Sequence, residues 1–324
     1  MRGEPDPDVL IVTHEDDLHA LLVQEALQAR CSLRCHVLEF DVQPIRGGLS
    51  WSADGSVAPS LRARGGAAID VGAVGAVWWR RFFGGPFQVP GAATDVAMDL
   101  ISGDSRAAIE GLLLEEVRGA WVSHPQATRS AENKLVQLRA ARRAGLCVPR
   151  TLVSQEPAEI RRFCAELPDR VVIKAVRGTS RAPLLTVPVT ADLLASDAAL
   201  SVCPAIYQER VEGTRHLRVH CFGDEVHAVS IEAAVLDWRA DLRIPMSPTT
   251  LPDDVKRRLL EVLRILDLRM GIFDLKIDPA GEAVWLEVNP QGQFVFLQPL
   301  AGIDLVTPFA DFLRAEAVRG RSGR

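Results

Sequence analysis

Two segments near the end of the chain, residues 271–277 and 283–289, alternate apolar and polar residues on either side of Asp278-Pro279-Ala280-Gly281. Pro and Gly in those turn positions, between two runs of period two, specify a β-hairpin and therefore an antiparallel sheet. The start of the chain reads differently. An apolar run at 9–12 precedes helical spacing over 18–29, and a second strand follows at 37–40. Residues 47–66 are rich in Gly and Ser, as in a hairpin, and Val74-Gly75-Ala76-Val77-Trp78-Trp79 is a buried-strand pattern ending at Arg80-Arg81. Helical periodicity over 95–117 and a short strand at 121–122 complete a first α/β unit. Ser130 and Gly145 bound a predicted helix over 130–144. Strands at 151–154 and 170–175 enclose a helix over 156–166, and the polar stretch 177–181 is a candidate loop. Extended runs at 205–209, 217–221 and 225–232, then an amphipathic helix over 252–266, lead into the hairpin. The fold class expected is mixed α/β (α+β), in three parts: 1–122, 123–204 and 205–324.

Composition removes several functions. No apolar run in the 324 residues approaches the roughly 20 that a membrane helix needs, so no membrane partner is expected. A net charge of −5 disfavours a polyanion, so no nucleic acid is expected either. Residues 1–8 are charged and proline-bearing rather than signal-like, and the six cysteines form no paired framework, so the expected location is the cytoplasm. Cys31, Cys35 and His36 invite a metal reading, but no second half of such a site appears.

The hairpin also carries chemistry. Side chains two apart on a strand share a face, so Glu287 and Asn289 point the same way, and Asp274 on the partner strand can join them. Two carboxylates and an amide oxygen suit Mg²⁺, although an acidic hairpin face is also often merely solvated. Lys134 stands in a helix after Ala131-Glu132-Asn133, and Lys174 ends the apolar run Val171-Val172-Ile173. A lysine on a buried strand needs an anionic partner, and a phosphate would serve; the alternative is a strand end emerging into solvent.

With these residues in place, the order of lysine-bearing helix, lysine-bearing strand, Tyr207-Gln208-Glu209-Arg210-Val211 and Leu286-Glu287-Val288-Asn289-Pro290 resembles the ATP-grasp ligases over nearly the whole chain. Val77-Trp78-Trp79-Arg80-Arg81, residues 145–152, Leu236-Asp237-Trp238-Arg239 and Asn289-Pro290-Gln291-Gly292-Gln293-Phe294 are similar to one branch, the ribosomal-peptide maturases that make microviridin-like graspetides. The resemblance implies an ATP-grasp fold, an N-terminal α/β domain followed by two α+β subdomains that clasp ATP. It places Lys134 and Lys174 on the nucleotide phosphates, with Lys174 also catalytic, and Glu209, Arg210 and Val211 at the adenine. Asp274, Glu287 and Asn289 become ligands of two Mg²⁺ ions, and Arg218 the catalytic arginine that stabilises an acyl phosphate. Read without the family, Arg218 is equally an inward-facing or a solvated strand arginine. His216 stands where relatives carry an acidic residue for the ribose, and Lys276 shares the face of Asp274 where an apolar or small residue is common.

The activity implied is an ADP-forming ligase acting on a precursor peptide with leader and core. Asp or Glu side chains would be activated and closed onto Ser, Thr or Lys as ester or amide macrocycles; a homodimer is compatible with this. The leader would dock on the first domain and central helix region, with Arg80 and Arg81 as candidates against a solvated basic pair. Two other functions compete: an ATP-grasp ligase joining free small substrates or extending a protein terminus, and a non-catalytic peptide- or nucleotide-binding module. The tryptophan–arginine stretch of the first domain argues against the former, and the complete lysine, arginine and carboxylate set against the latter.

Overall fold

The computed structural model describes residues 7–31, 33–82, 94–177 and 184–322. The chain divides into two compact units, one of Met1–Pro125, Gln293–Val295 and Asp304–Arg324, the other of Gln126–Gly292 and Phe296–Ile303. Among the described residues no helix is long and apolar enough to cross a membrane. Of the 177–181 loop, residues 178–181 lie outside the described residues.

The first unit is built on a four-stranded sheet. Its strands are β1 (Asp8–Thr13), β2 (Cys35–Glu39), β5 (Val74–Trp79) and β6 (Ala120–Val122), with a small antiparallel pair, β3 (Leu61–Arg62) and β4 (Ala68–Ile69), between β2 and β5 in sequence. The order β2-β1-β5-β6 is parallel throughout. Every residue of β1 and β5 is buried, as expected of parallel strands covered on both faces. Leu10, Val12, Val77 and Trp79 meet Ile109, Leu112 and Leu113 of the helix Asp95–Glu116. Elsewhere on β5 the Trp78 ring lies 4.6 Å from Phe309, on the helix Val306–Ser322. That helix returns from the end of the chain and touches backbone: a Cβ on Gly75 would stand 2.7 Å from the Ala317 carbonyl oxygen, and one on Gly320 only 2.4 Å from that of Gly75. Only glycine fits either place.

Arg80 is not a solvated basic residue. It is fully buried, with Nε donating to Asp17 at 2.6 Å and its guanidinium 5.0 Å from the Trp78 ring. Asp17 also accepts from Thr13 at 2.7 Å and from the His19 main-chain N–H at 3.1 Å. His19 Nε2 in turn accepts from the N–H groups of Phe294 and Val295, at 2.9 and 3.1 Å. Burial first, and Arg80 second, hold the imidazole down at a pKa of about 3, so it is neutral and free to accept. His36 is 3.0 Å from the Asp8 carboxylate and Cys35 is buried; the Cys31 side chain lies outside the described residues.

The second unit contains two antiparallel sheets. One has the order β7-β10-β8-β9, from β7 (Thr151–Ser154), β8 (Val171–Ala175), β9 (Val187–Pro188) and β10 (Ala205–Glu209). The other has the order β13-β12-β11-β14-β15, from β11 (Arg215–Phe222), β12 (Glu225–Glu232), β13 (Met246–Thr249), β14 (Met270–Ile277) and β15 (Ala283–Asn289). The strand at 205–209 thus belongs with those at 151–154 and 171–175. Leu259, Val262 and Leu263 recur at helical spacing on Asp253–Ile265 and bury against Leu217, Val219, Phe273, Leu275 and Trp285. The helix Pro157–Ala165 lays Ile160 and Cys164 near Val171 and Tyr207 of the smaller sheet.

The lysine-bearing helix is shorter than the sequence predicts. A break at Glu132-Asn133 separates Pro125–Ala131 from Lys134–Arg143, and Asn133, not Ser130, caps it by accepting from the Leu135 N–H at 3.0 Å. Lys134 therefore occupies the first helical position.

Candidate active site

The two sheets of the second unit border a cleft of about 370 Å³. Its lining brings together Lys134, Lys174, Glu209, Arg210, Val211, His216, Asp274, Glu287 and Asn289, which are the predicted binding and metal residues, with Lys276, Asp237 and Arg239 beside them. Arg218, on β11, pairs in register with Asp274.

Its floor is the hairpin. Asp274 stands opposite Glu287, so the two carboxylates share a face, and Asn289 is two residues further along that face. A bulge at Leu286 shifts the register: Asp274 faces Glu287 but Leu275 faces Trp285. Trp285 is fully buried, while Glu287 reaches the cleft. Asn289 ends the strand in an Asx turn, its Oδ1 accepting from the Gln291 N–H at 3.0 Å.

Each carboxylate has a cation. Arg218 Nη1 donates to both oxygens of Asp274 at 3.0 Å, and Lys134 donates to Glu287. Burial pushes the Asp274 carboxyl up and Arg218 opposes it. For Glu287 burial also raises, but Lys134, then Arg239 and Lys174, bring it below the usual carboxylate range. The Arg218 guanidinium lies 5.6 Å from the Trp238 ring and 5.8 Å from that of Phe296, so aromatic faces hold it as well.

Lys174 donates to Gln208 Oε1 at 2.7 Å, and Gln208 donates to Thr151 at 2.9 Å. Desolvation drags the ammonium down to a pKa of about 8; Glu287 pulls it up, while Lys134 and Arg239 push it down. Lys174 is half-buried and hydrogen-bonded to Gln208 rather than a solvated strand end. His216 faces Lys276 across β11 and β14, and both are nearly buried. Among the described residues nothing hydrogen-bonds His216 Nε2, and burial, then Lys276, holds the ring at a pKa of about 4. It is a neutral ring in the wall of the cleft. The N–H groups of Glu209 and Arg210 are used within the fold, donating to the carbonyls of Arg150 at 2.8 Å and Arg170 at 2.6 Å.

Two further residues support the site, of which Gln137 carries no signal in the sequence and Asp237 stands in the stretch 236–239 without a role read for it. Gln137, on the helix of Lys134, is buried; its Nε2 donates to the carbonyls of Ala131 at 2.7 Å and Val288 at 2.8 Å, and its Oε1 accepts from the Val288 N–H at 3.2 Å. It thereby covers the outer edge of β15 between Glu287 and Asn289. Asp237 caps the turn Trp238–Ala240 and holds the Arg239 guanidinium at 2.8 and 2.6 Å.

The donor set fits a hard divalent cation. No group of three His, Cys, Asp or Glu placed to hold a metal occurs among the described residues. Two carboxylates and an amide oxygen match Mg²⁺, which usually takes one or two carboxylates and completes its shell with water and substrate phosphates. Lys134 at a helix N-terminus and Lys174 on the facing strand would meet those phosphates.

No protein-family model matches the chain, and no curated protein sequence matches it. Solved structures do, over almost its full length. The macrocyclase MdnC of Microcystis aeruginosa, bound with precursor peptide MdnA, is similar at a TM-score of 0.85 and 25% identity, covering 94% of this chain and 99% of its own. A Chryseobacterium gregarium RiPP-associated ATP-grasp ligase, in complex with ADP and a leader and core peptide, gives 0.82 and 25%, covering 95% and 96%. The ATP-grasp ligase PsnB, complexed with a phosphomimetic variant of its minimal precursor, Mg and ADP, gives 0.77 and 26%, covering 97% and 99%.

Proposed function

We propose, from the premise that this chain belongs to the ATP-grasp ligases and stands with their ribosomal-peptide branch, that it activates Asp or Glu side chains of a precursor peptide with ATP and closes them onto Ser, Thr or Lys as macrocyclic esters or amides. The observation that carries this reading is the cleft itself, where Asp274 and Glu287 stand in register with each other and line it together with Lys134 and Lys174.

In this reading Lys134 and Lys174 neutralise the nucleotide phosphates, and the N–H of Val211 with main-chain carbonyls of Glu209 and Arg210 meets the adenine. His216 lines the part of the cleft where relatives carry an acidic residue for the ribose. Asp274, Glu287 and Asn289 would hold two Mg²⁺, which would spread the charge of the transferring phosphoryl group. A carboxylate oxygen of the peptide attacks the terminal phosphorus and ADP leaves. Arg218, fixed by Asp274 and two rings, supports the acyl phosphate through its guanidinium. The hydroxyl or amine then attacks the activated carbonyl, and phosphate departs with the bonding pair and takes up the proton that the nucleophile gives up. The protein's part is to hold both groups in reach and exclude water.

The test is incubation with Mg²⁺, ATP and a short acidic peptide encoded beside the protein and carrying Ser, Thr or Lys. ADP and phosphate should form, and the peptide should lose one water mass per ring. AMP as product overturns acyl-phosphate chemistry, and a peptide gaining an amino-acid mass indicates a ligase of the other kind. Glu287→Ala should abolish turnover with folded spectra retained.

A further inference from the structure

We propose that His19 is a positioning residue for the ligase reaction: by holding the main-chain N–H groups of Phe294 and Val295 it sets the place of the next residue, Phe296, whose ring lies against the guanidinium of Arg218. This deepens the function proposed above and rests on it. The metal hairpin ends at Asn289, and Gly292 then packs so closely on β14 that a Cβ there would stand 2.8 Å from the Ile272 side chain. Only three residues, Gln293–Val295, belong to the first unit before Phe296 returns the chain to the second. Phe294 is fully buried in the first unit, its ring edge-on to that of His19 at 5.1 Å and 5.2 Å from that of Phe309. Phe296 stacks on Trp238, the ring planes 21° apart, and lies 5.8 Å from the Arg218 guanidinium. One peptide bond, Val295 to Phe296, therefore joins the group held by His19 to the group that faces Arg218.

The surroundings of His19 suit it to this task. Its Nε2 accepts from both N–H groups, at 2.9 and 3.1 Å, and burial keeps the ring neutral. Asp17 decides which ring nitrogen carries the proton, because its carboxylate stands 3.6 Å from Nδ1 and favours N–H there, leaving Nε2 bare. Arg80 holds Asp17 in turn, through donors at 2.6 and 3.3 Å. His19 is outside the lining of the cleft, so its effect on the reaction travels along the chain. At the far end, Asp274 meets Arg218 at Nη1 with both oxygens at 3.0 Å, while the rings of Phe296 and Trp238 meet its face, so the tilt of the guanidinium follows the rings. A guanidinium that supports an acyl phosphate must be aimed, since a misplacement of about 1 Å can cost about a hundredfold in rate.

The experiment compares the parent with His19→Gln, His19→Asn, His19→Leu, Phe296→Leu and the double variant His19→Leu/Phe296→Leu, using the precursor peptide and ATP in steady state, and Mg²⁺ with ADP in calorimetry. A Gln amide oxygen reaches the place of Nε2, whereas that of Asn reaches only the place of Nδ1. His19→Leu and His19→Asn should lower kcat about tenfold and change peptide KM and ADP affinity by less than about threefold. His19→Gln should keep kcat within about threefold of the parent. Leu112→Ala, which opens a cavity against the first sheet, controls for destabilisation alone: it should lower the melting temperature and leave kcat in place. The double variant should be no slower than the slower of its two single variants, because both changes act on one link. A multiplied loss in the double variant overturns the assignment, as does a kcat within about twofold of the parent in His19→Asn and His19→Leu; the macrocyclase reading stands in either case. His19→Gln as slow as His19→Asn also overturns it, and this pair decides should His19→Leu not fold. A parent that binds Mg²⁺ and ADP but consumes no peptide overturns both.

Discussion

Replacing Gln137 by Leu should unfasten the strand that carries Glu287 and Asn289. Gln137 makes three hydrogen bonds to backbone, at 2.7, 2.8 and 3.2 Å, and two of them satisfy the N–H and C=O of Val288 on the outer edge of β15. Leu is similar in volume, so it leaves no large cavity; what it removes is polar. At about 1 kcal/mol net for each neutral hydrogen bond, the loss is about 3 kcal/mol, since buried backbone groups are left without partners. That corresponds to roughly a hundredfold in the local opening equilibrium. Hydrogen exchange of the peptide spanning Val288 reads it directly, because exchange there follows local opening. Gln137→Glu keeps the acceptor but loses both donors, and should fall between Leu and the parent. Lys134 is one turn away on the same helix, so turnover should drop more through kcat than through KM for ATP. If exchange at Val288 in Gln137→Leu stays within about twofold of the parent, where a hundredfold is expected, the latch does not exist.

Two further outcomes concern pH. The Lys174 pKa is lowered from 10.5 to about 8; if the ammonium meets phosphate as proposed, ADP affinity should decline as pH rises through about 8, Lys174→Met should abolish that dependence in calorimetry, and an unchanged profile would contradict it. His19 must be neutral to accept from Phe294 and Val295, and its pKa falls from 6.5 to about 3 on folding. Between these values the unfolded chain binds the extra proton, so stability drops as pH falls from 6.5 towards 3. Asp17, lowered from 3.8 to about 2, acts in the same direction below pH 3.8. In thermal melts, His19→Leu should be less stable at pH 7 and less sensitive to acid than the parent.

Much of the site was legible because its chemistry follows strand alternation. The turn at 278–281 and the faces of 274, 287 and 289 define the hairpin, and the structure places those side chains together. The bulge at Leu286 was not legible, since one extra residue in an apolar run leaves no trace in a pattern of period two. Gln137 was hidden for a related reason: a polar residue on an amphipathic helix reads as solvent-facing, and only the nearby strand edge buries it. Arg80 shows the reverse, since an arginine after an apolar strand reads as exposed until Asp17 is brought to it. The helix Val306–Ser322 carries Pro308 in its first turn and Gly320 near its end, which blur its helical signature. Asp304 supplies the start instead, accepting from Val306 and Thr307 at 3.0 and 3.1 Å.

That last helix sets a timetable for synthesis. The sheet formed by residues 8–122 is covered on one face by a segment made only at 306–322, so Trp78 lacks its Phe309 neighbour while the whole second unit emerges from the ribosome. At roughly 5–20 residues per second the wait is on the order of ten to forty seconds. The second unit, all but complete in sequence by Gly292, can mature during that interval, whereas the first holds an unfinished apolar face until the end. A nascent chain stalled before Val306 is thus one that chaperones would have to shelter, and a premature stop there would harm the unit made first.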